Sequence, residues 1–290
     1  MFELIAQSIA SGIAIGCVYG LIGIGFCVIY NASGIVNFAQ GAFVMLGGML
    51  THVAFQQLGL PLLVSAALAT VVVAALGVVI DRLVVRPLWT RNATMFVMIL
   101  ATLAVQIVVE RLTLIGAGDQ PKTLPPLTDL PPIMVGGIAV NFQFLWIVAI
   151  SLLLIALLDL FFKKTLIGKA MRACAINREA AALQGIPVSR MLALSFALSA
   201  ALGAIAGVLI TPTQYTAFNV GVPFAISGFI AAIVGGFGRP LGAFVGGIML
   251  GLAQAVAIVV FGAGLKNVAA LSVLLLFLFV RPGGILGEAK

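Results

Sequence analysis

Few side chains in this sequence are equipped for chemistry, and their spacing assembles no catalytic set. His52 is the single histidine. It has no second imidazole or carboxylate at ligand spacing, so it reads as an interfacial polar residue near the outer end of a span. Cys17, Cys27 and Cys174 are odd in number, lack metal-ligand spacing and read as small packing residues. No serine nucleophile elbow is present. Gly168-Lys169 fails the phosphate-loop pattern G-x-x-x-x-G-K-[ST], because position 163 is lysine and position 170 is alanine. No enzymatic activity is expected, and work against a gradient requires nucleotide hydrolysis on another chain.

The acidic residues are Glu3, Asp81, Glu110, Asp119, Asp129, Asp159, Glu179 and Glu288, and none lies at the centre of an apolar run. A proton-coupled carrier needs a carboxylate or histidine that changes charge in mid-membrane, so that class is disfavoured. Asp81 and Asp159 fall at span ends, and Glu110 sits beside Arg111, where a local ion pair is expected. A sodium-driven carrier, with the ion on backbone carbonyls, stays open, as does a passive channel.

The elements that carry these residues are set by composition. The chain is 63% hydrophobic and 8% charged, against roughly 25% charged in soluble domains. From Glu3 to Asp81 no residue carries a formal charge, which is room for about three spans of ~20 residues. The opening Met-Phe-Glu lacks a basic leader, so the first helix is expected to be retained. Apolar runs predict spans near 5–28, 36–57, 61–80, 94–116, 142–162, 191–211, 222–238, 240–262 and 265–280. The expectation is one all-α, polytopic membrane bundle over 1–290, with about 8–9 transmembrane helices. Five prolines make 117–141 an extracytoplasmic loop. Within it, Ile133–Val140 reads as a short hairpin about Gly136-Gly137.

Basic residues in short loops are retained on the cytoplasmic side. Of the 15 basic residues, all but Arg111, Lys122 and Lys266 fall on one predicted side. The orientation expected is N-terminus outside, C-terminus cytoplasmic, in a bacterial inner membrane. The net charge of +7 lacks the clustered, aromatic-interleaved basic face that nucleic acid requires.

Small residues let helices approach closely where lipid removes the hydrophobic drive. Gly12, Gly16 and Gly20, and Gly238, Gly242 and Gly246, are spaced to form two such stripes. Gly41-Ala42-Phe43-Val44 recurs at Gly242-Ala243-Phe244-Val245, compatible with a parallel internal repeat. Polar side chains in lipid must face a cavity or a partner, so Asn37, Gln40, Thr102, Gln106 and Gln254 are candidates for a translocation path. Interhelical hydrogen bonds are the competing role.

The loop 168–186 is rich in alanine and basic residues. It predicts short helices over 169–176 and 178–184, stopped by Gly185 and Pro187. Its small side chains suit a groove on a partner protein, with anionic lipid as the alternative.

Glu179-Ala180-Ala181, followed by Gly185, resembles the E-A-A-x-x-x-G signature of ATP-binding-cassette (ABC) importer permeases. Asn37-Phe38-Ala39-Gln40-Gly41, Gly235-Gly236-Phe237-Gly238-Arg239-Pro240-Leu241-Gly242-Ala243 and Arg281-Pro282-Gly283-Gly284-Ile285-Leu286-Gly287 resemble three segments of the branched-chain amino acid permeases, in order across the chain. The length is similar to the shorter permease subunit of that system. The resemblance implies coupling helices bearing Gly168, Arg172, Arg178, Glu179, Ala180, Ala181 and Gly185. It also implies two ATPase subunits that hold ATP and Mg2+, a homologous second permease, and an extracytoplasmic binding protein delivering leucine, isoleucine or valine. Close relatives are similar to importers of urea, amides and other amino acids.

Overall fold

The computed structural model describes residues 2–135, 138–281 and 283–285. Gly136-Gly137, Pro282, Leu286-Gly287, Glu288 and Lys290 therefore lie outside the described residues. The nine apolar runs coincide with helices α1 (Phe2–Ser33), α2 (Gln40–Gln56), α3 (Leu62–Ile80), α5 (Met95–Ala117), α6 (Phe142–Lys164), α9 (Val188–Ile210), α10 (Gly221–Gly235), α11 (Pro240–Phe261) and α12 (Lys266–Val280), and the shorter α4 (Arg86–Thr90), α7 (Leu166–Ile176) and α8 (Arg178–Leu183) lie between them. A π-turn, Asp81–Val85, joins α3 to α4, and a 3-10 turn, Ala263–Leu265, leads into α12. The only paired strands among the described residues, β1 (Ile133–Val135) and β2 (Ile138–Val140), form an antiparallel hairpin with Ile133 opposite Val140.

Seven helices are long and apolar enough to cross a membrane, and Gly221–Gly235 is a shorter apolar one. The bundle is an all-α, multi-pass membrane protein. Its centre is α1, 89% buried over its apolar window, against which α9, α10 and α11 pack. α5, α6 and α12 are 17%, 17% and 6% buried, so they form the periphery.

Two boundaries differ from expectation for local reasons. The second span begins at Gln40 rather than near 36. Gly34 (φ +65°) ends α1, and the Asn37 carboxamide then accepts from the Ala39 N–H at 3.1 Å, fixing a non-helical step. The seventh ends at Gly235, because Gly236 (φ +109°) and Gly238 (φ +87°) turn the chain into α11.

Glycine governs the central contacts. A Cβ on Gly12 or Gly16 would stand 2.7 Å from Ala255 Cβ or Ile248 Cα of α11. Gly20 meets Phe244 of the same helix, while Gly242 and Gly246 face Gly235 and Ala231 of α10. Gly238 was expected in that stripe. It lies instead in the turn between α10 and α11, where its carbonyl accepts from Asn31 Nδ2 at 2.7 Å.

Candidate functional site

Where the chain breaks before α2, four polar residues from three segments converge. The Phe38 N–H donates to Thr102 Oγ1 of α5 at 3.1 Å. Gln40 Nε2 donates to the Ser199 carbonyl of α9 at 3.2 Å. The Ser199 hydroxyl lies 2.7 Å from Gln40 Oε1 and 2.8 Å from the Gly25 carbonyl, one hydrogen shared between two acceptors. Asn37, Gln40, Thr102 and Ser199 are all fully buried, and Gln106, one turn beyond Thr102 on α5, is 3% exposed. Asn37 Nδ2 and both amide atoms of Gln106 have no hydrogen-bond partner. A buried polar atom left unpaired costs about 1–3 kcal/mol, so this centre is under-satisfied within the chain.

Gln106 is held at a junction of helix ends. A Cβ on Gly221, the first residue of α10, would stand 2.6 Å from the Gly41 carbonyl of α2 and 3.0 Å from Gln106 Nε2. Gln254 is not part of this cluster. It sits on α11, accepts from the Tyr19 hydroxyl at 2.9 Å and keeps Nε2 unpartnered. Tyr19 borders a cavity of about 170 Å3 that Gln214, Ser227, Lys266 and Asn267 also line.

The α7–α8 loop is built by its caps. Thr165 Oγ1 accepts from the Gly168 N–H at 2.9 Å and Asn177 Oδ1 from the Ala180 N–H at 2.9 Å, so each short helix starts on a side-chain acceptor. Gly168 is buried against the Phe161 carbonyl, and Gly185 (φ +79°) turns the chain toward α9. Ala181 is 4% exposed, whereas Glu179 and Ala180 face outward. Arg178 stacks over Trp89 of α4 with its guanidinium carbon 5.5 Å from the ring centroid. Burial pushes the Arg178 pKa down and the Cys174 thiol pKa up, and Cys174, 1% exposed, packs within the core. Arg172 is exposed on the wall of a groove of about 540 Å3 between α1, α6, α7 and the start of α11. Ile176 and Leu183 are each 87% exposed. Their placement was not legible in the sequence, because each is the last residue of its helix, where periodicity does not decide what is covered.

The basic segments meet at this end of the bundle. An Arg86 Nη donates to the Ser189 carbonyl at 2.8 Å, Arg172 and Arg239 border one groove, and the Ile285 N–H reaches the Val234 carbonyl beyond Arg281. Lys122 pairs with Thr216 through backbone bonds at the opposite end, where His52 Nδ1–H donates to the Thr123 carbonyl at 2.8 Å. Two ion pairs occur among the described residues, Arg86–Asp81 and Lys163–Asp159. Glu110 and Arg111 do not pair, because adjacent helix positions point about 100° apart. Nor do the described residues contain a cluster of three metal-ligating side chains.

A multi-pass bundle with a polar, under-satisfied centre and a capped basic loop at one end defines a membrane transport protein. Residues 8–280 match the family described as branched-chain amino acid transport system / permease component, and the chain belongs to that family. It is 33% identical over 300 residues to the high-affinity branched-chain amino acid transport system permease protein BraD of Pseudomonas aeruginosa, covering 98% of this chain and 96% of the relative. It is 32% identical to the Escherichia coli protein LivH, covering 100% and 97%. A Methanocaldococcus jannaschii relative, described as a probable branched-chain amino acid transport permease, is 30% identical over 92% of this chain and 88% of its own length. Among solved structures, PsaBC from Streptococcus pneumoniae in complex with Fab superposes with a TM-score of 0.53 at 13% identity, covering 96% of this chain and 92% of that one. The likeness to PsaBC is one of fold.

Proposed function

We propose that this chain is one permease subunit of an ABC importer for leucine, isoleucine and valine, driven by ATPase subunits that dock on α7 and α8. The observation that carries the docking is the pair Ile176 and Leu183, each 87% exposed on short, capped helices. Apolar side chains presented this way fit a groove on a partner protein. Two such subunits would hold ATP and Mg2+ and serve this chain and a homologous second permease. The basic end is then cytoplasmic, as positive charge in short loops requires. The hairpin end faces the binding protein that delivers solute, and peripheral helices meet lipid. Asn37, Gln40, Thr102 and Gln106 belong to the path at mid-bundle, with Gln254 nearer the hairpin end.

Uptake of radiolabelled leucine into proteoliposomes tests the reading. Accumulation should need the complete set of subunits with ATP on the cytoplasmic side. ATP-independent uptake by this chain alone would overturn it. Glu179→Ala and Gly185→Asp should uncouple hydrolysis from uptake, and normal uptake in both would reject the docking assignment.

A further inference from the structure

The first turns of α2 and α10 abut inside the bundle, and neither end is capped by a side chain. α2 has 17 residues and α10 has 15, and their cap residues Ala39 and Val220 supply no side-chain acceptor. First-turn N–H groups lack intrahelical partners, which leaves Gly41 and Ala42 in α2 and Gly221 and Val222 in α10. Two partly positive helix ends brought together repel and attract a negative group. An independent observation marks the same place. The Gln106 carboxamide, 97% removed from solvent and wholly unpartnered, stands 3.0 Å from the Cβ position of Gly221. Asn37, fully buried on the step into α2, keeps its Nδ2 donor free.

We propose that this junction receives the carboxylate of the transported amino acid, held by the first-turn N–H groups of α2 and α10 and by the Gln106 and Asn37 carboxamides. The proposal rests on the amino-acid reading above. Charge-assisted bonds from backbone N–H groups to a carboxylate are among the stronger protein hydrogen bonds. Glycine at 41 and 221 leaves that backbone bare of side chain. Gln106 Oε1, also unpartnered, suits the ammonium group of the same solute. The Gly41 and Gly221 backbones touch here along their carbonyl edges, so occupancy parts the two helix ends and turns their N–H groups to the solute.

Two measurements on the complete importer in proteoliposomes test it. Gln106→Met keeps the volume and removes the amide. It should lower leucine uptake at least about tenfold, the loss expected for charge-assisted bonds, while the complex still co-purifies. Ser151→Ala removes another unpartnered buried hydroxyl, on α6, and should leave uptake unchanged. In a chain whose three native cysteines are alanine, Gln106→Cys should react during ATP turnover with a sulfonate-bearing methanethiosulfonate. That reaction should run at least about tenfold faster than with the trimethylammonium reagent, because the helix ends favour anions, and leucine should slow it. Wild-type uptake in Gln106→Met, or equal or faster reaction with the cationic reagent, would overturn the site. A wild-type importer that accumulates no leucine overturns the amino-acid reading instead, since the reagent preference is read without solute.

Discussion

Arg178 lies over the face of Trp89, with 5.5 Å between guanidinium carbon and ring centroid, and so fastens α8 to α4 across 89 positions of sequence. The contact ties the exposed α7–α8 loop to the short helix that follows the π-turn. Arginine stays charged throughout the physiological range despite burial, so the tie does not switch with pH.

Removing either partner should loosen the loop. Arg178→Ala and Trp89→Ala should each raise ATP hydrolysed per leucine imported. Their effects should be non-additive by about 0.5–1 kcal/mol in a thermal-denaturation double-mutant cycle. Additive effects would mean that the stacking carries no energy.

Ile176→Asp and Leu183→Asp remove apolar surface that is almost wholly exposed in this chain. The isolated permease should keep its thermal midpoint within about 0.5 kcal/mol of wild type, yet lose the ATPase subunits on affinity purification. Retention of the ATPases by both variants would place the docking surface elsewhere.

Asp81 is fully buried with its side-chain pair to Arg86 at 2.9 Å, and Arg86 is 31% exposed. Arg86→Ala leaves a buried carboxylate unpaired and should destabilise the protein by about 3 kcal/mol. Arg86→Gln combined with Asp81→Asn should recover part of that loss, read as thermal midpoint in detergent.

Gly116 and Gly207 offer opposite outcomes for one substitution. A Cβ on Gly116 of α5 meets nothing, whereas one on Gly207 of α9 runs into the Val44 carbonyl of α2. Gly116→Ala should be neutral or stabilise by up to about 1 kcal/mol through helix propensity. Gly207→Ala should destabilise by about 1–3 kcal/mol. Equal thermal midpoints would contradict the α2–α9 packing.

The helices themselves were legible, because lipid-facing spans announce themselves as uninterrupted apolar runs between charges. The loop helices were legible too, since Asn177 and Gly185 punctuate an alanine-rich stretch. What escaped is the arrangement of faces. A helix apolar all round has little periodicity to show which side it buries, so nothing local told that Gly41 meets Gly221, 180 positions away, or that Ser199 completes the environment of Gln40. Asn37, Gln40, Thr102 and Gln106 were selectable as polar residues in apolar runs, but only the fold brings them to one place and leaves Gln254 apart. Gly238 was misplaced because four-residue spacing continues through a turn as readily as through a helix. The late start of α2 turns on one side-chain bond from Asn37, which hydropathy does not register.

The glycines along α1 have a mechanical meaning. Gly12, Gly16 and Gly20 seat its backbone against α11 at successive turns, like teeth of a rack, so sliding one helix along the other would have to disengage every tooth at once. With 32 residues, α1 is a rod of about 48 Å. A displacement applied where it passes α7 reaches the far side of the membrane as rotation of one stiff body rather than as shear within it.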